Sequence, residues 1–402
     1  MDATTAPSTR AVALEVLLSG PLPRSEIARR LEMSAGSLTR LAKPLVDSGL
    51  LVEVDTNGGP ESGTLRRTRP LDVNPTAHHF IGAKVTGDDV HAVLTTMRAE
   101  VVASSRRPLT GRDPASVVAT VNELTQELTP RHAQVSGLGV SLGGRVVDHT
   151  TVTDAPFLRW TTGVPLGGLL QDAFDGCVTV DNDLLALTRA EHWFGAARGH
   201  DRFAVVAIGA GIGYGLVMHD AVVDIPDVGA GLLGHHPLDP MGPLCPRGHR
   251  GCATAMLSVA SIRSAVSVGL RRPVTYDECL DLAAGGEPVA TAVVTASGRA
   301  LGRLLAAVAN FTLVQKIVVT GEAVRLAEAA RPAMDEGIRA DRVPDAAPVD
   351  VDVRHNNFAH WARGAAATVI QSYVLGHAPT PARRPRTAAA GPGAGAARVA
   401  SG

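Results

Sequence analysis

The pattern of apolar positions near the start of the chain predicts two short helices separated by a turn. Ser25 precedes the first apolar-periodic segment and Ser34 precedes the second, so each serine is placed to cap a helix N-terminus. Residues 31–34 leave room only for a turn. The positions predicted to face inward at helical spacing are Ile27, Ala28 and Leu31, then Leu38, Leu41 and Leu45.

After the second helix the pattern becomes strand-like. Gly49 predicts the end of the helix, and residues 50–54 predict a strand. Residues 56–70 combine glycine and proline with Arg66, Arg67 and Arg69, which predicts a hairpin tip with a cationic return strand. A helix-turn-helix followed by such a hairpin is typical of a winged DNA-binding unit.

The outward positions of the second helix are small, hydroxylated or cationic, which suits a helix that enters a DNA groove. Residues 24–43 carry a net charge of +3, whereas the whole chain carries −1, so a local positive face favours DNA over a plain three-helix unit. The residues predicted to contact DNA are Ser34, Ala35, Gly36, Ser37, Thr39, Arg40 and Lys43 of the helix, with Arg66 and Arg67 of the wing.

Composition limits the remaining possibilities. The chain has 402 residues, enough for a small DNA-binding unit and a large α/β domain. Four cysteines are too few for a disulfide scaffold and indicate the cytoplasm. We find no secretory signal and no uninterrupted apolar run long enough for a membrane span. The low-complexity residues 379–402 predict a disordered tail.

The long segment after residue 72 alternates strand and helix patterns. Residues 80–85 and 91–94 predict two strands, residues 117–128 predict a helix, and residues 135–147 predict a strand-turn-strand unit centred on Gly143 and Gly144. Residues 203–218 predict a further hairpin in which glycines alternate. Because strands lie on both sides of these glycines, they differ from a dinucleotide-binding turn. They form either a plain β-turn or a turn whose amides approach an anion.

These segments, in this order behind a winged helix, resemble the ROK family (repressors, open reading frames and sugar kinases). The resemblance extends from about residue 10 to 376 and is carried by residues 137–148, Trp160, residues 180–183 with Glu191, the glycine hairpin, residues 234–252 and residues 318–321. It implies an actin- and hexokinase-like fold with two α/β lobes and a cleft between them. The expected organisation is a winged helix-turn-helix at 1–72, a ROK domain at 73–378 and a tail at 379–402.

The resemblance also implies which kinase residues have changed. Family kinases carry an acidic Gly-Gly-Thr hairpin for nucleotide phosphates and magnesium, and Lys84 stands in place of that acid. Asn182 and Asp183 match the sugar-holding asparagine and the catalytic base, so Asp183 is expected to be a vestigial base that only contacts a ligand. Two glutamates that bind sugar in the family are Leu232 and Thr254 here, whereas the expected ligand contact His235 is kept.

A histidine and cysteine segment implies a structural zinc site. His235, Cys245 and Cys252 have the outer spacing of the family's zinc ligands, while Arg247 replaces the middle cysteine. His249 is the expected substitute ligand, with His236 as a weaker alternative. A loop without metal, holding two free cysteines, remains possible. Cys177 and Cys279 lie outside this segment and are expected in the core.

Three functions remain open from the sequence. The first is a sugar-responsive transcriptional regulator, a repressor of carbohydrate genes that binds a palindromic DNA operator as a homodimer or homotetramer, with a sugar or sugar phosphate as effector. The second is an ATP-dependent carbohydrate kinase that carries a DNA-binding head. The third is a regulator without a ligand, in which the large domain serves for oligomerisation or protein docking.

Overall fold

The computed structural model describes residues 6–54, 69–129, 135–225 and 227–376. The predicted wing tip, with Arg66 and Arg67, and the predicted tail at 379–402 lie outside the described residues. Everything below concerns the described ranges.

The N-terminal head consists of three helices and a two-stranded antiparallel sheet. A hydrophobic cluster that includes Val12, Val16, Ile27, Leu38 and Leu45 holds it together. The first predicted cap was wrong, because Pro23 and not Ser25 occupies the N-cap position. Leu22 pairs in extended conformation with Leu71, so the helix starts directly afterwards. The elements are α1 (Pro7–Ser19), α2 (Arg24–Arg30), α3 (Ala35–Asp47), β1 (Leu51–Glu53) and β2 (Leu71–Val73).

The first lobe contains a five-stranded sheet in the order β5-β4-β3-β6-β9, with an α-helix against it. The predicted strand-turn-strand unit at 135–147 forms, but its second strand pairs with the next strand rather than folding back. The elements are β3 (His79–Val85), β4 (Asp89–Thr95), β5 (Val101–Pro108), α4 (Pro114–Leu128), β6 (Val135–Leu142), β7 (Arg145–Val147), β8 (Thr151–Asp154), α5 (Leu166–Gln171), β9 (Cys177–Asn182) and α6 (Asp183–Phe194).

The second lobe repeats this plan with a sheet in the order β12-β11-β10-β13-β14. The predicted glycine hairpin is confirmed, with its two strands paired antiparallel. The elements are β10 (Arg202–Ile208), β11 (Ile212–Met218), β12 (Ala221–Val222), α7 (Ala253–Leu257), α8 (Val259–Leu270), α9 (Tyr276–Ala284), α10 (Pro288–Thr312), β13 (Lys316–Thr320), α11 (Arg325–Ala329), α12 (Arg331–Asp341), β14 (Asp350–Val353) and α13 (Phe358–Leu375).

Two helices join the lobes. The helix that follows the first sheet, α6, packs on the second sheet through Leu184 and Leu187. The last helix, α13, returns to the first sheet, where a Cβ on Gly139 would lie 1.9 Å from the backbone oxygen of Ala365. The helices also contact each other, because a Cβ on Gly364 would lie 2.9 Å from the Leu187 nitrogen. The fold is therefore α/β with two lobes that meet along α6 and α13.

The longest helix of the described residues, α10, is unusually apolar. Within the described ranges, α10 is long and apolar enough by composition to cross a membrane, although 61% of its most apolar window is buried inside the protein. Arg299 and Arg303 interrupt its sequence, and Leu301, Leu304 and Leu305 lie in the core of the second lobe. This helix is the central core helix of that lobe.

Candidate functional site

The N-terminus of α3 is built as the sequence predicted. Ser34 Oγ accepts a hydrogen bond from the Ser37 backbone N–H at 3.1 Å, and Gly49 ends the region with a φ of +74°. Such a cap stabilises a helix start by about 1 kcal/mol. Ser37 is half-buried, and the exposed members of the predicted DNA-contacting set among the described residues are Ser34, Ala35, Gly36, Thr39, Arg40 and Lys43.

Fewer cations of the head are available to bind DNA than the sequence indicated, because several of them form ion pairs within the head. Arg24 pairs with Glu53 at 2.9 Å, and Arg29 and Arg30 both pair with Glu26. Hydrogen bonds from Arg29 and then Arg30 lower the pKa of Glu26 to about 2, so Glu26 is ionised at neutral pH. Arg30 also pairs with Glu15 at 2.8 Å, so two anions balance the two arginines. Among the described residues, no ion pair of Arg40 is found, and Lys43 makes only an exposed 3.5 Å contact with Asp47. Arg40 and Lys43 are therefore the available cations on α3.

Gly36 is an exposed glycine in the first turn of α3, with no packing reason to be there. A Cβ at Gly36 would meet nothing within 4 Å. Glycine is a poorer helix former than alanine, so it is an unfavourable choice for stability alone. A surface that must be approached closely by another molecule is a physical reason for such a glycine.

In the cleft between the lobes, Lys84 of β3 and Asp183 at the start of α6 form an ion pair. Lys84 Nζ donates to Asp183 Oδ2, and their side chains are 8% and 18% exposed. The Lys84 ammonium also lies 5.6 Å from the centre of the Trp361 ring. Asp183 Oδ1 accepts the Leu184 backbone N–H at 2.8 Å. The expected vestigial base is thus held by a cation and by its own helix.

Asn182, the predicted sugar contact, is largely engaged within the protein. Its Oδ1 accepts the N–H groups of Leu184 and Leu185 at 3.0 and 3.1 Å, and its Nδ2 donates to the Gly144 carbonyl at 2.8 Å. An amide NH2 has two donor hydrogens, so one remains for a ligand. Gly229 of the second lobe lies next to the hydrogen bond between Asn182 and Gly144, since a Cβ there would be 2.2 Å from Gly144 O.

The two positions that replace the family's sugar-binding glutamates do not supply equivalent groups. Leu232 is 69% exposed, and Thr254 Oγ1 donates to the Gly234 carbonyl at 2.8 Å. A leucine has no polar atom to offer, and the Thr254 hydroxyl is already used within the loop.

The glycine hairpin of the second lobe faces a carboxylate from its own chain. A Cβ on Gly209 would lie 3.7 Å from Glu322 Oε2 and 3.5 Å from Glu322 N. Gly321 approaches the end of β10 more closely, with a φ of +105° and an ideal Cβ position 2.3 Å from the Ile208 carbonyl oxygen. Glu322 therefore places negative charge beside the turn that the sequence indicated as a possible anion site.

The candidate metal centre brings together groups from a loop and the start of α7. His235 Nδ1 lies 3.8 Å from both Cys245 Sγ and Cys252 Sγ, and the three ligand atoms lie within 4.8 Å of one another. Tetrahedral zinc with ordinary Zn–S and Zn–N bond lengths separates sulfur and nitrogen by about 3.6 Å. The donor set and its spacing therefore fit Zn²⁺.

His249 lies beside this cluster without completing it. Its Nδ1 is 3.6 Å from Cys245 Sγ, and its ring centre is 4.5 Å from that of His235. It is not part of the compact set of three groups. The alternative, His236, has its ring near Phe311 at 6.5 Å between centres.

Local backbone groups favour the thiolate form at one cysteine. Burial opposes ionisation of Cys245, but hydrogen bonds from the backbone N–H groups of Arg247 and His249 and from Cys252 together outweigh it and lower the pKa of this thiol. Burial raises the pKa of Cys252. Burial, followed by the charges of His249 and Arg247, lowers the pKa of His235, which keeps the imidazole neutral at pH 7. Neutral imidazole and thiolate are the forms that bind metal.

The sequence predicted most of these residues but not the side chains that occupy the cleft. It did not identify the Lys84–Asp183 pair, Glu322 at the glycine hairpin, or Phe157, whose ring would lie 3.1 Å from a Cβ on Gly143. The only available signal was the lysine in the place of an acid. Cys279 is buried in the second lobe as expected, and Cys177 is half-buried.

The chain belongs to the ROK family, which matches residues 80–372. It is similar to the DNA-binding transcriptional repressor Mlc of Escherichia coli K12, with 24% identity over 88% of this chain and 89% of that protein. The dual regulator NagC of the same strain is 26% identical, over 79% and 81% of the two chains. The xylose repressor of Bacillus subtilis 168 is 22% identical, over 67% and 70%.

Solved structures support the fold. A ROK family transcriptional regulator described as a homolog of E. coli Mlc superposes with a TM-score of 0.78 at 23% identity, covering 93% of this chain and 98% of that one. A ROK glucokinase from Streptomyces griseus superposes with a TM-score of 0.59 at 21% identity, covering 72% and 98%. The regulator therefore covers more of this chain than the kinase does.

Proposed function

We propose that this protein is a DNA-binding transcriptional regulator, a repressor of carbohydrate metabolism genes. The observation that carries the proposal is the exposed face of α3, where a capped N-terminus, an unpacked Gly36 and the available cations Arg40 and Lys43 lie together. Mlc, NagC and the xylose repressor of Bacillus subtilis, which match 88%, 79% and 67% of this chain, are named as regulators.

The large domain binds an effector or forms oligomers; it does not transfer phosphate to a sugar. An active sugar kinase needs a free catalytic base and neutralised phosphate charge. Here Lys84 binds Asp183, and Glu322 adds an anion at the glycine hairpin. Leu232 and Thr254 supply no glutamate for sugar. These features favour a regulator over the carbohydrate kinase, and they keep open a domain that serves only for oligomerisation.

The remaining parts of the proposal follow from the same features. A sugar or sugar phosphate would bind near Asn182, Asp183 and His235, and a structural zinc ion would be held by His235, Cys245 and Cys252 with His249. We place the protein in the cytoplasm, where its four free cysteines stay reduced. A homodimer or homotetramer would carry two or more heads, with unit boundaries at 1–72 and 73–378 and a tail at 379–402.

The first test is binding to promoter DNA selected from the genome, measured by fluorescence anisotropy across a salt series. We expect Arg40→Ala and Lys43→Ala each to weaken binding and to reduce the salt slope by about 1, because each removes a phosphate contact. Arg331→Ala, which removes an exposed cation paired with Asp335 in the second lobe, is the matched control. Binding that is equally strong in all three variants would overturn the DNA-contact assignment.

The second test separates the regulator from the kinase. We expect no ADP release above background with ATP, magnesium and a panel of hexoses, N-acetylhexosamines and pentoses. Sugar-dependent turnover would establish the kinase instead. Thermal shift against the same panel distinguishes a sensor from a ligand-free regulator, since a bound ligand raises the melting temperature by mass action.

A further inference from the structure

The DNA-binding head is attached to the body by arginines that donate to backbone carbonyls. Arg98, in the turn between β4 and β5, donates from Nη2 to the Gly20 carbonyl at 3.0 Å and to Asp72 Oδ1. It also reaches the Val16 carbonyl at 3.4 Å. One guanidinium of the first lobe therefore holds both the end of α1 and strand β2 of the head.

The space around Arg98 Nη2 is filled. A Cβ on Gly20 would lie 2.5 Å from Val16 O, 2.9 Å from Asp72 Oδ1 and 3.2 Å from Arg98 Nη2. The head cannot tilt here without breaking these contacts. The hydrophobic cluster of α1 also includes Met97 and Ala99, the residues on either side of Arg98.

A second arginine connects this turn to the boundary between the lobes. Arg363 of α13 donates from Nε to the Ala99 carbonyl at 2.7 Å and from Nη2 to the Phe194 carbonyl at 2.9 Å. Phe194 is the last residue of α6. Arg198, just beyond α6, donates to the Leu18 carbonyl of α1. The C-terminal end of α6 is thus tied to the head by a two-arginine chain and by a direct contact.

The other end of α6 carries the ligand-site residues. Asn182 is the N-cap of α6 and Asp183 is its first residue. A helix of this length spans about 18 Å, so the cleft and the head are joined by one rigid element. Next to Arg363, Gly364 brings α13 to near backbone contact with Ala186 and Leu187 of α6. Because α6 packs on the second sheet and α13 on the first, a relative movement of the lobes would displace α6 along α13.

We propose that Arg363 and Arg98 are positioning residues that transmit displacements of α6 to the DNA-binding head. A change at Asn182 and Asp183 would move α6, Arg363 would carry this movement to the Ala99 turn, and Arg98 would turn the end of α1 and β2. The inference rests on the proposed function, since it describes how that function is regulated. By linkage, DNA binding to the head must also act back on α6.

The test uses this reciprocity and needs no identified sugar. Hydrogen exchange measured by mass spectrometry on the full chain, with and without the selected promoter duplex, reports on peptides of the head and of residues 183–194. In the wild type we expect DNA to change exchange in both regions, with α6 altered on the order of 5-fold, the low end of ordinary coupling. In Arg363→Met the head should still respond, and the α6 response should fall well below that of the wild type, with the direct Arg198–Leu18 contact carrying what remains.

Two further variants complete the test. Arg98→Met should give the same reduction of the α6 response without touching α6, which covers the case in which Arg363→Met fails to fold. Arg342→Met is the matched control, because Arg342 also bridges two segments, through Asn310 Oδ1 and the Ala347 carbonyl, but within the second lobe. It should leave the α6 response intact.

The outcomes separate the two proposals. A head that responds to DNA while α6 stays unchanged in the wild type would overturn the arginine relay and leave DNA binding standing. An α6 response of equal size in wild type, Arg363→Met and Arg98→Met would also overturn it. No response anywhere, with no duplex bound, would overturn the proposed function and the relay with it.

Discussion

Lys84 Nζ is bound to Asp183 Oδ2 in the cleft, between β3 of the first sheet and the first residue of α6. Both side chains are mostly removed from water, and Trp361 covers the ammonium from the side of α13. A cation bound to this carboxylate makes it less available to accept a proton from another molecule. The pair ties the first sheet, α6 and α13 together at the N-terminal end of α6.

Replacement of Lys84 tests how much its ion pair contributes to the stability of the protein. We expect Lys84→Met to lower the free energy of unfolding by about 3 kcal/mol, because it leaves the largely buried Asp183 carboxylate without its partner. The double variant Lys84→Met/Asp183→Leu should recover most of the loss. Denaturant unfolding followed by circular dichroism measures both.

Lys316→Met is the matched control for this prediction. Lys316 is 10% exposed, but its partner Asp350 is 63% exposed, and Arg354 still pairs with nearby Asp352. We therefore expect a smaller loss. If Lys84→Met lowers the free energy of unfolding no more than Lys316→Met does, the cleft ion pair contributes no more to stability than a partly exposed one.

Gly36→Ala should separate stability from DNA binding. Alanine is the better helix former and meets nothing within 4 Å, so we expect the head to gain about 0.5–1 kcal/mol. Operator affinity should fall, because the added methyl group stands on the face that approaches DNA. Thermal unfolding and anisotropy titration measure the two effects. Gly168→Ala, at an equally open position in α5, is the control and should leave DNA binding unchanged. An unchanged operator affinity in Gly36→Ala would contradict the predicted orientation of α3.

Gly229→Ala and Gly231→Ala form a matched pair at the junction of the lobes. Both glycines have positive φ, +86° and +68°, so alanine costs about 1 kcal/mol at either position. Only at Gly229 would the new Cβ meet Gly144 O, at 2.2 Å, and Asn182 Nδ2, at 3.1 Å. We expect Gly229→Ala to separate the lobes here and to accelerate amide exchange around residues 143–144, whereas Gly231→Ala should not. Equal exchange in the two variants would argue against a contact between lobes at Gly144.

Metal analysis tests the zinc centre. We expect about one zinc ion per chain by mass spectrometry of the metal content, as in a tetrahedral structural site. Cys245→Ser should lose the metal, and Cys279→Ser, which changes a buried cysteine outside the cluster, should keep it. His249→Ala decides the fourth ligand: a marked loss of zinc affinity would assign it, and unchanged affinity would exclude it. Absence of zinc from the freshly purified wild type would contradict the site itself.

Local patterns were sufficient for much of this protein. The cap at Ser34, the apolar spacing of α3, the end at Gly49 and the hairpin at 203–218 depend on neighbouring residues, and the structure has them as predicted, with the first hairpin strand starting one residue earlier. The spacing of His235, Cys245 and Cys252 likewise predicted a cluster that the loop brings together. Ser25 was misassigned because the helix start depends on the bridge between Leu22 and Leu71, whose partners are far apart in the chain.

By itself the sequence determined many of the helices and strands and the residues available for chemistry, because these follow from short-range periodicity, caps and motif spacing. The two-lobed fold class was implied by the resemblance to the ROK family. Only the tertiary structure decided which of those residues are free. Lys84 and Asp183 are 99 positions apart, and Arg363 and Ala99 are 264 apart. Whether a charged side chain is available to a ligand or held by the protein depends on such long-range contacts, which no local pattern contains.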